Sequence, residues 1–151
     1  MKHFLILLTA TLCTTIVKSQ TAEDSVKAVV TKMFDAMKNS DAEGLKNCFG
    51  DSTVFQTIVV TKDGKTVVRN ESVADFCESI GKLPKGAADE RIRFETVKVD
   101  GVLAIVWAPY NFYYNGQFSH CGMDSFQMVK FGNSWKIQYI IDTRKRDGCN
   151  P

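Results

Sequence analysis

The sequence predicts an α+β domain, a strongly bent antiparallel sheet with three helices on its concave face. Three observations predict it. Apolar residues recur at helical spacing in three places before residue 81, around one early hairpin signal. From Arg91 to Ile141 the pattern changes to β-rich runs separated by two-residue turns. Finally, 151 residues with 44% hydrophobic content suffice for one buried core. Gathering the helices on one face of a single sheet buries both apolar surfaces with the fewest layers.

The first residues stand outside this domain. Met1-Lys2-His3 is a basic start, residues 4–12 are a short apolar run, and Val17-Lys18-Ser19 is a small-residue exit, the pattern of a secretory signal cleaved near Ser19. The run falls well short of the ~18–20 residues that a membrane span requires, so no stable membrane anchor is expected. The bulky Leu12 before Cys13 disfavours a lipoprotein. The expected division is a signal peptide at 1–19 and a single domain at 20–151, exported to the periplasm or secreted.

Within the domain, Val26, Val29, Val30, Met33, Phe34 and Met37 form one helical stripe after Thr21-Ala22-Glu23-Asp24, while Lys27, Lys32, Asp35 and Lys38 turn away. Asn39-Ser40 breaks this helix, and Asp41 caps a short second one that runs past Leu45 and ends at Gly50-Asp51. Residues 52–60 and 65–69 read as a hairpin about Lys62-Asp63-Gly64. Asn70-Glu71-Ser72 reads as the cap of a third helix and not as a glycan site, with Val73, Phe76 and Ile80 at core spacing before Gly81 and Pro84. Residues 86–90 read as a polar loop, and a meander of four strands follows from Arg91, its first joint at Asp100-Gly101.

Counting outward from Asn115-Gly116 sets Asn111 opposite His120 and Trp107 opposite Asp124. Counting from Gly132-Asn133 sets Phe126 opposite Tyr139 and Asp124 opposite Ile141. One face then collects Leu103, Ile105, Trp107, Phe126, Met128, Trp135, Ile137, Tyr139 and Ile141, the bulky face that helices should cover. The opposite face carries Val106, Tyr110, Phe112 and Ile140, too apolar for one solvated patch, which predicts a homodimer through it.

Composition excludes several classes. Loss of residues 1–19 removes Lys2 and Lys18 and no acid, so 19 basic against 17 acidic residues become 17 against 17. A neutral domain gives no footprint for nucleic acid, and Arg144-Lys145-Arg146 reads as a solvated tail. Cys48, Cys77, Cys121 and Cys149 show no C-x-x-C spacing, and one histidine remains, so neither a metal site nor a cofactor is expected. Disulfide pairing stays open, and for Cys121 a buried free thiol is favoured.

His120 is the one mature side chain that ordinarily titrates near neutrality, and Asp124 is a carboxylate on an apolar face. Both are candidate general acids or bases. They stand four residues apart, ~13 Å at ~3.3 Å per residue, and so read as separate positions and not a dyad. Phe55, Phe94, Trp107, Asn111, Phe126 and Tyr139 complete the candidate ligand site, the aromatic residues as a stacking wall and Asn111 as the group that holds the His120 ring.

The ending Gly132-Asn133-Ser134-Trp135-Lys136-Ile137, the first helix, Asp41-Ala42-Glu43-Gly44-Leu45 and Phe49-Gly50-Asp51 together resemble the nuclear transport factor 2-like (NTF2-like) superfamily. That is the cone-shaped fold of ketosteroid isomerase, scytalone dehydratase and the SnoaL-like polyketide cyclases. The spacing of Asp124, Phe126 and Met128 before Trp135-Lys136-Ile137 is similar to its branch labelled “putative lumazine-binding”. The resemblance covers residues 22–144 and implies a pocket inside the cone. The catalytic trio of the isomerase is not matched position by position, and the dehydratase uses more than one pocket histidine where this mature chain keeps only His120. The expected function is therefore binding of a small, partly apolar molecule by an exported protein. A cofactor-free isomerase or dehydratase using His120 or Asp124, and a dimerisation module, are the alternatives.

Overall fold

A computed structural model describes residues 21–151, so the segment read as a secretory signal lies outside the described residues. The elements are α1 (Ala22–Lys38), α2 (Ala42–Lys46), β1 (Phe49–Val60), β2 (Thr66–Glu71), α3 (Val73–Gly81), β3 (Ala88–Ile92), β4 (Thr96–Asp100), β5 (Leu103–Tyr114), β6 (Gln117–Phe131) and β7 (Ser134–Lys145). Local chemistry sets the helix ends. Thr21 and Asp24 form a reciprocal capping box on α1, and Asp41 and Ser72 accept backbone N–H groups at the starts of α2 and α3. Ser40, at φ 57°, turns the chain between the first two helices. Ser72 thus caps a helix, as its sequence context predicts.

The seven strands form one sheet in the order β2-β1-β7-β6-β5-β3, with β4 continuing the β3 edge along the other half of β5. All pairs are antiparallel except β1 with β7. β3 replaces the polar loop read at 86–90. Its apolar signal is short because Asp89 and Glu90 sit in its middle, yet it pairs with Tyr110–Tyr114 throughout.

Both later turns form as predicted. Asn115 and Gly116 each have positive φ, the demand of a type I′ hairpin, and Gly132 opens the next turn at φ 59°. The first joint turns one residue later than read, since Asp100 pairs with Leu103.

The register beyond the turns differs from simple counting. Tyr113 pairs with Phe118, but Phe112 pairs with His120, so Ser119 is an extra residue in β6. Met128 pairs with Ile137, but Gln127 pairs with Tyr139, so Gln138 is an extra residue in β7. Each bulge inverts the strand phase beyond it, because side chains alternate with period two. Phe126, Met128, Trp135 and Ile137 face the helices as predicted, but on β5 the inner row is Ala104, Val106 and Ala108. Leu103, Ile105 and Trp107 face outward, 48%, 43% and 44% exposed. The small inner residues share one cluster with Val26, Val30 and Phe34 of α1, where a tryptophan would have no room. Val106, Tyr110 and Ile140 are buried inside the cone and Phe112 is half-buried against its core, so the dimer face predicted from these four residues is interior.

The chain end is fastened to the sheet. Cys121 forms a disulfide with Cys149, which overturns the free-thiol reading, and the Asn111 side-chain amide donates to the Asn150 carbonyl at 2.8 Å. Cys48 and Cys77 are free and buried.

Candidate functional site

The bend of the sheet under α1 and α3 leaves a cavity of ≈ 140 Å³. Its apolar walls come from Met33, Phe34 and Met37 on α1, Phe76 and Ile80 on α3, and Phe49 and Phe55 on β1. Its floor is polar, with Glu90, Tyr110, His120, Asp124, Asp142 and Arg144 drawn from four strands.

Cross-strand rows explain how the polar groups meet. Ala108, Asp124, Asp142 and Thr57 stand side by side across β5, β6, β7 and β1. Asp124 and Asp142 are 2% and 5% exposed, and a directly opposed like-charged pair is unfavourable if both ionise. In the next row Tyr110 lies opposite Gly122, which lies opposite Arg144. Because Gly122 has no side chain, the Tyr110 ring crosses over β6, and its hydroxyl donates to the Thr143 carbonyl at 2.9 Å with Asp142 Oδ2 at 3.2 Å. A Cβ on Gly122 would stand 1.7 Å from that same carbonyl oxygen and 2.7 Å from the tyrosine ring. The row beyond brings Glu90, Phe112 and His120 together.

Charges in this enclosure are not at their solution values. Burial, reinforced by the charge of Asp142, pushes Glu90 up to about 8, although its hydrogen bond with Asp124 opposes the rise. Burial and then the charge of Glu90 hold Asp124 well above the usual carboxylate range. The two carboxyl groups therefore share protons at neutral pH. Glu90 is partly exposed as a residue, but its carboxyl end is enclosed. Burial also disfavours the charge of Arg144, but its hydrogen bond to Asp142 (Nε to Oδ2, 2.8 Å) and the charge there outweigh it and leave Arg144 raised. Tyr110 is raised by burial and by Asp142. His120 is lowered by burial and then by Arg144, so it is neutral at pH 7. Its ring meets Tyr110 edge-on at 5.7 Å, and its Nδ1 lies 3.0 Å from Ser119 Oγ.

Asp124 Oδ2 and Asp142 Oδ1 are buried, and no N–H or O–H group among the described residues donates to them. Asp124 shares a hydrogen bond with Glu90, yet its Oδ2 is left over, and both oxygens are open to whatever enters the cavity. Among the described residues no group of three or more His, Cys, Asp or Glu is arranged to hold a metal ion.

Of the residues singled out from the sequence, His120, Asp124 and Phe55 line the cavity. The others do not. Trp107 points to solvent. Tyr139 stands on the outer face, donating from its hydroxyl to Gln56 Oε1 at 2.8 Å. Asn111 pairs with Cys121 and not His120, and it holds the chain end. Phe126 is fully buried in the core, edge-on to Phe34, and Phe94 is a half-buried residue packed against it. Glu90, Tyr110, Asp142 and Arg144 escaped the sequence reading. Glu90 lies in a stretch whose polarity reads as a loop, the bulges carry Tyr110 and Asp142 to the face opposite the one that counting gives, and Arg144 sits in a run that reads as a solvated tail. A carboxylate within a β-rich run, as at Asp142, was the one available signal.

The family model described as “Putative lumazine-binding” matches residues 21–139. Among solved structures, an NTF2-like protein of unknown function from Shewanella baltica superposes with a TM-score of 0.62 at 14% identity, over 82% of this chain and 93% of that one. A cystatin-like domain of unknown function from Nostoc punctiforme gives 0.64 at 21% identity, over 84% and 80%. An NTF2-like protein from Novosphingobium aromaticivorans gives 0.62 at 13%, over 83% and 82%. No curated protein matches the chain. At these identities the solved structures establish the cone-shaped, cystatin-like fold.

Proposed function

The chain belongs to the “Putative lumazine-binding” family, and from that premise we propose that it is a binding protein for a compact, largely apolar small molecule held in the cone. The observation that carries this reading is a preformed cavity whose walls are aromatic and whose one polar end keeps buried oxygens in want of donors. Its ≈ 140 Å³ is close to the ~150 Å³ of an engineered cavity that takes benzene. One ring, or a bare two-ring system such as unsubstituted lumazine, is the size it supports. Lumazine also brings N–H groups to an acceptor-rich floor.

Calorimetry and thermal shift with lumazine and with riboflavin test this. Lumazine should bind and raise the melting temperature, whereas riboflavin, with a third ring and a ribityl chain, should not. Binding of both with equal affinity, or of compact aromatic molecules in a way that Phe55→Ala and Phe76→Ala leave untouched, would refute a site inside the cone.

A second reading has its own support. A proton-sharing carboxyl pair in an apolar pocket is also what a cofactor-free isomerase or dehydratase needs as general acid and base. Binding is preferred because the Tyr110 hydroxyl, the natural donor to a developing oxyanion, is committed to Thr143 and Asp142. Turnover of any bound molecule that disappears in Asp124→Asn would reverse this preference. We also infer export. The basic and apolar residues 1–19 and the Cys121–Cys149 disulfide both support it, since disulfides persist in oxidising compartments.

A further inference from the structure

Resting on the pocket reading, we propose that the ligand is a small organic cation whose N–H-bearing head sits between Asp124 and Asp142 and whose apolar body fills the aromatic walls. The two aspartates are directly opposed on β6 and β7, almost fully buried, and each keeps one oxygen without a donor among the described residues. The Asp142 vacancy is an acceptor, and so is the Asp124 oxygen once the proton held with Glu90 leaves, so a ligand that brings donors fills both. The walls suit the same guest. Phe34, Phe49, Phe55, Phe76 and Phe112 line the cavity beside Met33 and Met37, and aromatic faces attract a desolvated ammonium or amidinium.

Charge decides between a cation and a neutral donor. The groups facing the carboxyls are Glu90 from β3, Tyr110 from β5, His120 from β6 and Arg144 from β7, while the charge of Arg146 is felt at His120. The helices contribute only apolar side chains to the cavity. Three carboxyl groups thus face the Arg144 guanidinium and a neutral imidazole. Without a guest, the excess negative charge is relieved by protons held between Glu90 and Asp124. A cationic head does the same work, so binding exchanges a proton for the ligand. Affinity should therefore rise with pH until the carboxyl pair is ionised on its own. An anion would meet Asp142 and the carboxyl pair without any compensating exchange.

Benzamidine, benzamide and benzoate form a matched set of cation, neutral isostere and anion. Titration calorimetry of the full domain at about pH 7, in buffers of different ionisation enthalpy, should give benzamidine at least about tenfold tighter than benzamide, with up to about one proton released per cation bound and no binding of benzoate. Asp124→Asn should abolish the cation preference while benzamide still binds. Glu90→Gln should keep the preference and lose most of the proton release. Equal affinities for benzamidine and benzamide, or tighter benzoate, would overturn the cation and leave the pocket standing. Failure of all three to bind would overturn the pocket reading with it.

Discussion

Asp124 and Asp142 face each other across neighbouring strands with 2% and 5% of their surface exposed. Asp142 is answered by Arg144 and has Tyr110 beside it, whereas the side chain hydrogen-bonded to Asp124 is another acid, Glu90. The fold tolerates this arrangement instead of profiting from it, so replacing the acid should strengthen the ligand-free protein. Asp124→Asn is expected to raise the unfolding free energy by about 1–3 kcal/mol at about pH 8, measured by urea denaturation. A loss of stability would mean that Asp124 is a structural keystone.

The Glu90–Asp124 pair also sets a pH dependence. The folded chain holds Glu90 up to about 8 against an ordinary value of 4.5, so between those values the native state binds the proton that the unfolded chain has released. Stability must then fall as pH rises through that window. His120 acts in the opposite sense below its ordinary value of 6.5, where its depressed pKa favours unfolding. The clean interval is therefore about pH 6.5 to 8. Melting temperature should decline across it, and Glu90→Gln should flatten the curve.

Gly122 is required by its neighbours. A Cβ there would overlap the Thr143 carbonyl oxygen at 1.7 Å and the Tyr110 ring at 2.7 Å, and the first of these is backbone that cannot swing aside. Gly122→Ala should cost about 3 kcal/mol or more and displace Tyr110 from the cavity floor. Chemical denaturation gives the energy. Retained benzamidine binding in a folded variant would show that Tyr110 does not shape the site.

The Cys121–Cys149 bridge closes 28 residues of chain. Reduction, or Cys149→Ser, should lower stability by about 2–4 kcal/mol through the freer unfolded chain. Cys48 and Cys77 are buried and should react with a thiol reagent only after denaturation, so native thiol titration before and after reduction counts the bridge directly.

Two tryptophans report which way the strands face. Trp135 is buried and Trp107 is 44% exposed, so acrylamide should quench only the Trp107 emission in the native state. Trp107→Ser should change stability by no more than about 0.5 kcal/mol, and Trp135→Ala should cost about 3–5 kcal/mol. A large loss from Trp107→Ser would place that ring inside the cone.

Whatever is fixed within a few residues of chain was legible before any long-range packing. The caps at Thr21, Asp41 and Ser72 and the turns at Asn115-Gly116 and Gly132-Asn133 follow from side chains that satisfy local N–H groups or accept positive φ. The inward phase of Met128, Trp135 and Ile137 was also legible, because these positions lie between the Gly132-Asn133 turn and the first irregularity, and Phe126 keeps its phase because the extra residue there falls in β7 and not in β6. The bulges at Ser119 and Gln138 were settled by packing between distant parts of the chain. An extra residue in a strand costs little locally and is chosen by the curvature the sheet needs to close around α1 and α3. That choice turned Trp107 and Tyr139 outward and Tyr110 and Asp142 inward. It joined them to Glu90 of the edge strand β3, and so it made the polar floor of the cavity.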